Sequence, residues 1–142
     1  MVKYFAYGSN MSFARIKERI KSVEPGVIGK LEDYSFTCNK IGGVRSAKAN
    51  IEPKKGETVW GIIYELTEEE IKELDMYEGG YKRIKVTLET SNGLTNAYTY
   101  ISQQTSDNIN ADSWYKDYII EGAEEYDLPA QYIGKLADSI EV

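Results

Sequence analysis

Two places in the chain combine residue types that could do chemistry. The first is Glu78. It follows Ile71 by seven positions and Leu74 by four, so all three project from one face of a helix. The acid is therefore aimed inward or at a cleft. It lies at the helix C-terminus, where the macrodipole disfavours another negative charge, and Asp75 precedes it by three residues. Desolvation, dipole and neighbour all push its pKa upward. A carboxyl moved toward neutrality suits a general acid/base. The competing reading is a helix end that frays into solvent, with Gly79-Gly80 as an ordinary stop. Glu68, Glu69 and Glu70 differ: they fall in the first turn of that helix, where acids complement the dipole.

The second place is Tyr7-Gly8-Ser9-Asn10, directly after the apolar run Tyr4-Phe5-Ala6. A strand ending in a glycine turn exposes backbone N–H groups beside two small polar side chains. Such a turn can hold a carboxylate or a carbonyl oxygen. It can equally be a plain strand–helix connection in which Asn10 or Ser12 caps the next helix.

Composition narrows the chemistry. The 142 residues include no histidine and one cysteine, Cys38. Ser-His-Asp and Cys-His catalysis are excluded, so Ser9 has no base to activate it. Zinc sites built on His or several Cys are excluded as well, and no cofactor or metal is expected. Proton transfer must fall to Glu, Asp, Tyr or Lys. Cys38 lies late in an apolar strand and reads as core. Gly42-Gly43, near Lys40 and Arg45, lacks the spacing of a phosphate loop, and Arg45 reads as a solvated charge. A net charge of −6 with dispersed acids argues against nucleic acid or an anionic membrane surface as partner. The absence of a long apolar stretch predicts no transmembrane segment, and with no signal peptide a cytoplasmic setting follows.

The elements that must position these residues read as follows. One domain over 1–142 is expected from length. Strands are predicted over Lys3–Tyr7, Gly26–Cys38, Lys48–Glu52, Thr58–Leu66, Tyr81–Thr90 and Leu94–Ser102, with Ser91-Asn92-Gly93 as a tight hairpin. A first helix carries Phe13, Ile16 and Ile20. A second opens with the capping box Thr67…Glu70 and runs to about Glu78. A third is capped by Asp112 or Ser113 and runs to about Tyr126. Pro129 opens a fourth, with Tyr132, Leu136 and Ile140 on one face. Strands outnumber helices without strict alternation, which predicts an α+β fold: a closed or strongly curved sheet with flanking helices.

Four segments in order resemble the γ-glutamylcyclotransferase family, with its small AIG2-like members. Phe5-Ala6-Tyr7-Gly8-Ser9-Asn10 resembles the YGSN signature, and Ala49-Asn50-Ile51-Glu52-Pro53 the segment before the central strand. Val59-Trp60-Gly61-Ile62-Ile63-Tyr64 resembles the VWGVVY run. Leu74-Asp75-Met76-Tyr77-Glu78-Gly79 resembles the segment holding the catalytic glutamate, followed by Tyr81. Longer animal members carry extra residues before that tyrosine, where this chain has Gly80 alone.

The resemblance implies a mostly antiparallel barrel, six-stranded on the strands predicted above, with a cavity between the Tyr7–Asn10 turn and Glu78. It implies Glu78 as the catalytic residue, with Tyr7, Gly8, Ser9, Asn10, Tyr81, Tyr100 and Tyr115 binding substrate. The expected reaction converts a γ-glutamyl amide to 5-oxoproline and a free amine, the substrate's own amine being the nucleophile. The alternatives are a non-catalytic binding module on the same fold and a hydrolase using Asp75 and Glu78 as a carboxylate pair. For the pair, spacing of three on one helix is too close to bracket a substrate. The sole expected partner is the small-molecule substrate, and the sequence leaves monomer or homodimer open.

Overall fold

The computed structural model describes residues 1–142. Five strands close into a barrel in the order β1-β3-β2-β4-β5. They are β1 (Val2–Ala6), β2 (Val27–Ile41), β3 (Ala47–Leu66), β4 (Lys82–Thr90) and β5 (Gly93–Ile101). Every pairing is antiparallel except the closing one, where β1 meets β5 in parallel at Tyr4↔Tyr98. A 3-10 turn, Ser9–Met11, leads from β1 into α1 (Phe13–Arg19). The other helices are α2 (Glu68–Tyr77), α3 (Ser113–Glu125) and α4 (Ala130–Ser139).

The closed, mostly antiparallel α+β barrel agrees with expectation, but it has five strands and not six. The expected strands Lys48–Glu52 and Thr58–Leu66 are one strand, β3. Pro53-Lys54-Lys55-Gly56 has the composition of a turn. The chain nevertheless stays extended and takes up its irregularity as a shift of register against β2, between Glu32 and Tyr34. Asp33 adopts a φ of 64° and Gly56 one of 89°, and the Gly56 N–H donates to Asp33 Oδ1 at 3.0 Å. One side chain thus satisfies the backbone where the long hairpin bends.

The helix starts follow local rules. Thr67 and Glu70 form the predicted reciprocal capping box, and Ser12 caps α1 by accepting the Arg15 N–H at 3.3 Å. The barrel interior and the undersides of the helices share one apolar core. Its wholly buried members include Phe5, Ile62, Tyr64, Leu74 and Ile119.

One contact fixes the turn after β1. A β-carbon on Gly122 of α3 would stand 2.4 Å from both Met11 C and Ser12 N. The helix therefore packs backbone to backbone against the 3-10 turn and holds it from outside the barrel. Gly122→Ala should lose about 1–2 kcal/mol of stability on urea unfolding, because overpacking against main chain outweighs the gain in helix propensity.

Candidate active site

Glu78 is the residue that ends α2. Ile71 and Leu74 are buried on the helix underside, and the acid follows on that face. Its N–H donates to the Asp75 carbonyl at 3.2 Å, and its own carbonyl accepts the Tyr81 N–H at 3.1 Å. Gly80, at a φ of 83°, supplies the left-handed residue that turns the chain into β4. The side chain is only 14% exposed. The acid points in, and the reading of a frayed helix end is set aside.

It points into a cavity of about 230 Å³ at one end of the barrel. Asn10 reaches it from the opposite wall, its Nδ2 donating to Glu78 Oε1 at 3.4 Å and to the Tyr4 hydroxyl at 3.1 Å. Arg19 Nη1 lies 4.0 Å from the same Oε1 and donates to Asn10 Oδ1 at 3.4 Å. The Asn10 amide is thus held in one orientation between a cation and the acid.

Burial dominates the ionisation of Glu78 and pushes its carboxyl up to about 7, against the opposing pull of Arg19, Lys40 and Arg15. Asp75 adds the smallest of these effects. Desolvation is the expected cause, but the three cations are not visible in the helix pattern. They come from α1 and β2, far away in sequence.

Three tyrosines of the cavity are fixed to main chain through their hydroxyls. Tyr81 donates to the Ala49 carbonyl at 2.6 Å, and the Ala49 N–H donates to the Tyr115 hydroxyl at 2.8 Å. Tyr7 donates to the Tyr100 carbonyl at 2.5 Å. Burial raises the pKa of these three and of Tyr100. They present neutral rings to the cavity, which leaves Glu78 as its acid.

All eight residues singled out in the sequence line this cavity: Tyr7, Gly8, Ser9, Asn10, Glu78, Tyr81, Tyr100 and Tyr115. Gly8 is needed there, since a β-carbon would come 2.9 Å from Ala49 Cβ. Ser9 is buried and its Oγ accepts from Arg15 Nε at 3.4 Å. Asp75 does not line the cavity. It faces outward to accept from Tyr100 at 2.5 Å and pair with Arg83 at 3.2 Å, so it forms no carboxylate pair with Glu78. Arg45 is exposed outside the cavity, and Cys38 is half-buried against the core with its thiol raised to about 11 by burial.

Sequence reasoning missed Tyr4, Arg15, Arg19, Lys40 and Lys48, all of which line the cavity. The available signal was the i, i+4 pair Arg15 and Arg19 on the helix that follows the turn. Lys40 and Lys48 carry no local pattern, because a bulge in the β2–β3 ladder sets their direction.

A family model described as the AIG2-like family matches residues 58–136. The gamma-glutamylcyclotransferase of Bos taurus is 31% identical over 147 residues, spanning 97% of this chain and 78% of its own. The chain belongs to the γ-glutamylcyclotransferase, or AIG2-like, family. The gamma-glutamylcyclotransferase of Homo sapiens is 29% identical over 94% of this chain and 76% of its own. A solved structure named gamma-glutamyl cyclotransferase superposes with a TM-score of 0.91 at 26% identity, covering 99% of this chain and 89% of that one. The γ-glutamylcyclotransferase fold therefore extends over nearly the whole chain, including both walls that meet at Glu78. No helix is long and apolar enough to cross a membrane.

The ionisation of Glu78 has a consequence for stability. Its folded pKa, about 7, lies above the ordinary 4.5, so the folded state binds this proton more tightly than the unfolded state. The stability tied to Glu78 is then fully present below pH 4.5 and lost as pH rises toward 7. Glu78→Gln should match wild type within a small margin in acid and exceed it by roughly 3 kcal/mol above neutrality. Urea unfolding of both proteins across that pH range measures the difference.

Proposed function

We propose that this protein is an enzyme that cyclises a γ-glutamyl amide to 5-oxoproline and releases the free amine, with Glu78 as its general acid/base. The observation that carries this reading is a buried carboxyl, walled by tyrosines and facing a glycine turn in one cavity, where burial pushes its pKa up to about 7. A group of that pKa can accept a proton in one step and return it in the next.

Glu78 as carboxylate takes a proton from the substrate's α-ammonium. The freed amine attacks the γ-carbonyl carbon, and the C–O π electrons move onto oxygen. As that tetrahedral centre collapses, the C–N bond breaks and the leaving nitrogen takes the proton held by Glu78. The ring nitrogen gives up its second proton through the freed Glu78 carboxylate to the departing amine, leaving a neutral lactam and an ammonium. The carboxylate is restored, and the chemistry draws on no enzyme nucleophile. The Gly8-Ser9-Asn10 backbone holds the glutamyl carboxylate or the developing oxyanion. Such a donor is worth roughly 3–4 kcal/mol. Tyr7, Tyr81, Tyr100 and Tyr115 enclose the folded substrate and exclude water. Bringing amine and carbonyl into ring-closing geometry supplies the largest share, up to roughly 7–11 kcal/mol.

The charge of the cavity favours one class of leaving group. Lys40 and Lys48 are direct partners in the β2–β3 ladder, so their side chains share a face. Both line the cavity, as does Arg15. Like charges placed opposite one another destabilise a ladder, and none of the three has a carboxylate at ion-pair distance. The Lys48 ammonium instead lies 4.3 Å above the Tyr115 ring and 4.8 Å above Trp114. Desolvated cations without counter-ions fit a substrate that brings a second anion, and they repel a cationic amine. The reading is therefore a γ-glutamyl amino acid in preference to a γ-glutamyl polyamine.

Glu78→Gln should reduce 5-oxoproline release from γ-glutamyl-alanine by at least about 10²-fold while keeping ligand affinity within a few-fold. Binding without any turnover by wild type would instead favour the binding module. γ-Glutamyl-alanine should exceed γ-glutamyl-alaninamide in kcat/KM by about tenfold, the worth of one charge-assisted contact. Lys48→Met should narrow that gap, and equal rates in wild type would rule out the anion preference.

A further inference from the structure

Lys40 is the most deeply buried cation of the cavity. The residue is 6% exposed, a degree of burial at which lysine is rare without a partner. It reaches this place through an irregularity in the ladder. Thr37 pairs with Asn50, yet Lys40 pairs with Lys48, so Cys38 and Asn39 together oppose Ala49. The extra residue bends β2 and re-aims the side chains beyond it. Past the bulge, Lys40 also bridges to Thr105, and the neighbouring Ile41 N–H donates to the Gln104 carbonyl at 2.8 Å. Strand geometry is thereby arranged to send one lysine inward.

Its target is the turn that carries the acid. The Lys40 ammonium donates to the Gly79 carbonyl at 2.8 Å and lies 4.9 Å over the Tyr81 ring. It also crowds Gly80, where a β-carbon would stand 2.8 Å from Nζ. Gly79 and Gly80 are a conformationally free pair, and they directly follow Glu78. Two side chains restrain them: Lys40 on the Gly79 carbonyl and Ser102, whose Oγ donates to the Gly80 carbonyl at 2.8 Å. Of these, Lys40 alone brings charge. Burying an ammonium to hold a neutral carbonyl is expensive when a neutral donor would serve. The expense has a physical return if the charge also acts on the neighbouring carboxylate.

We propose that Lys40 is the positioning residue for Glu78: it clamps the Gly79–Gly80 turn and faces the carboxylate with a fixed positive charge from the barrel wall. This rests on the reading of Glu78 as the proton carrier. The groups that face Glu78 are few. Arg15 and Arg19 act from α1, Asp75 from α2, and Lys40 from β2. The surrounding tyrosine hydroxyls, of Tyr4, Tyr7, Tyr81, Tyr100 and Tyr115, stay neutral because burial raises their pKa. Arg19 is shared with Asn10, and Arg15 is shared with Ser9 and lies over the rings of Trp114 and Tyr118. Lys40 is therefore the one cation tied to the backbone that carries the acid. The same ammonium sets the direction of Glu78 through Gly79 and its charge state through space.

The test uses the full chain with Lys40→Met, which keeps the side-chain stem and removes the charge, and Lys40→Arg, which keeps the charge. Lys40→Gln replaces the methionine variant should that one not fold. The Glu78 side-chain carboxyl is followed by carbon NMR across pH, its signal assigned by its absence in Glu78→Gln. The Glu78 titration should move upward by about one pH unit in Lys40→Met and return toward wild type in Lys40→Arg. The acid limb of kcat/KM for 5-oxoproline release should move with it, and kcat should fall roughly 10- to 100-fold from the loosened turn. An unmoved titration in the charge-removing variant overturns the proposal, whatever happens to the rate. A moved titration in a protein whose wild type releases no 5-oxoproline overturns the catalytic reading of Glu78 and leaves the hold of Lys40 on it standing.

Discussion

A carboxylate kept out of water while cations surround it is the arrangement on which the rest of this site depends. Burial alone would drive Glu78 toward permanent protonation, and free pairing with an arginine would hold it permanently ionised. Neither state can pass a proton in both directions near neutrality. The structure sits between them. Arg19 stands at 4.0 Å, at the edge of ion-pair distance, and divides its attention with Asn10. Lys40 is anchored to a carbonyl and not to the acid. The cations are close enough to oppose desolvation and too constrained to neutralise the carboxylate outright.

That balance demands a rigid frame, and tyrosine provides it. The Ala49 peptide is gripped on both sides, its carbonyl by Tyr81 and its N–H by Tyr115. Tyr64 donates to the carbonyls of Asn10 and Met11 at 2.9 and 3.1 Å and so ties the glycine turn to β3. Each hydroxyl replaces a solvent contact that a buried peptide would otherwise lose. The rings fill the space between a barrel end and three helices, and their polar tips stitch irregular main chain together. The abundance of tyrosine in this chain is structural in origin, although the rings also shape the cavity.

Much of this was legible in the sequence because it is local. The capping box at Thr67 and Glu70, the inward face shared by Ile71, Leu74 and Glu78, and the glycine turn after β1 are all patterns within a few residues. What escaped was set by long-range geometry. The strand break expected at Pro53–Gly56 is absent because Asp33, on the neighbouring strand, satisfies the Gly56 N–H. Lys40 and Lys48 carry no local pattern, and a bulge in the β2–β3 ladder sets their direction. Arg15 and Arg19 lie on the helix read only for its apolar face, and the placement of α1 against the turn makes them part of the cavity. The direction of the Glu78 pKa shift was readable from burial, whereas the cations that oppose it were not.

The closing seam of the barrel bears on how the chain acquires its structure. β1 must pair with residues 62–66 of β3 and with Tyr98 of β5, and the turn it carries is held by Gly122 of α3. β1 thus depends for its place on partners far away in sequence. Such distant pairings carry a high loop-closure cost and are formed slowly. The long β2–β3 hairpin, which is contiguous and extensive, is the natural place for order to begin. The two walls of the cavity meet only where β1 is docked, at the seam that shuts the barrel. Without β1 in place the cavity has only one of its walls, so the closure of the barrel and the shape of the pocket are a single structural fact.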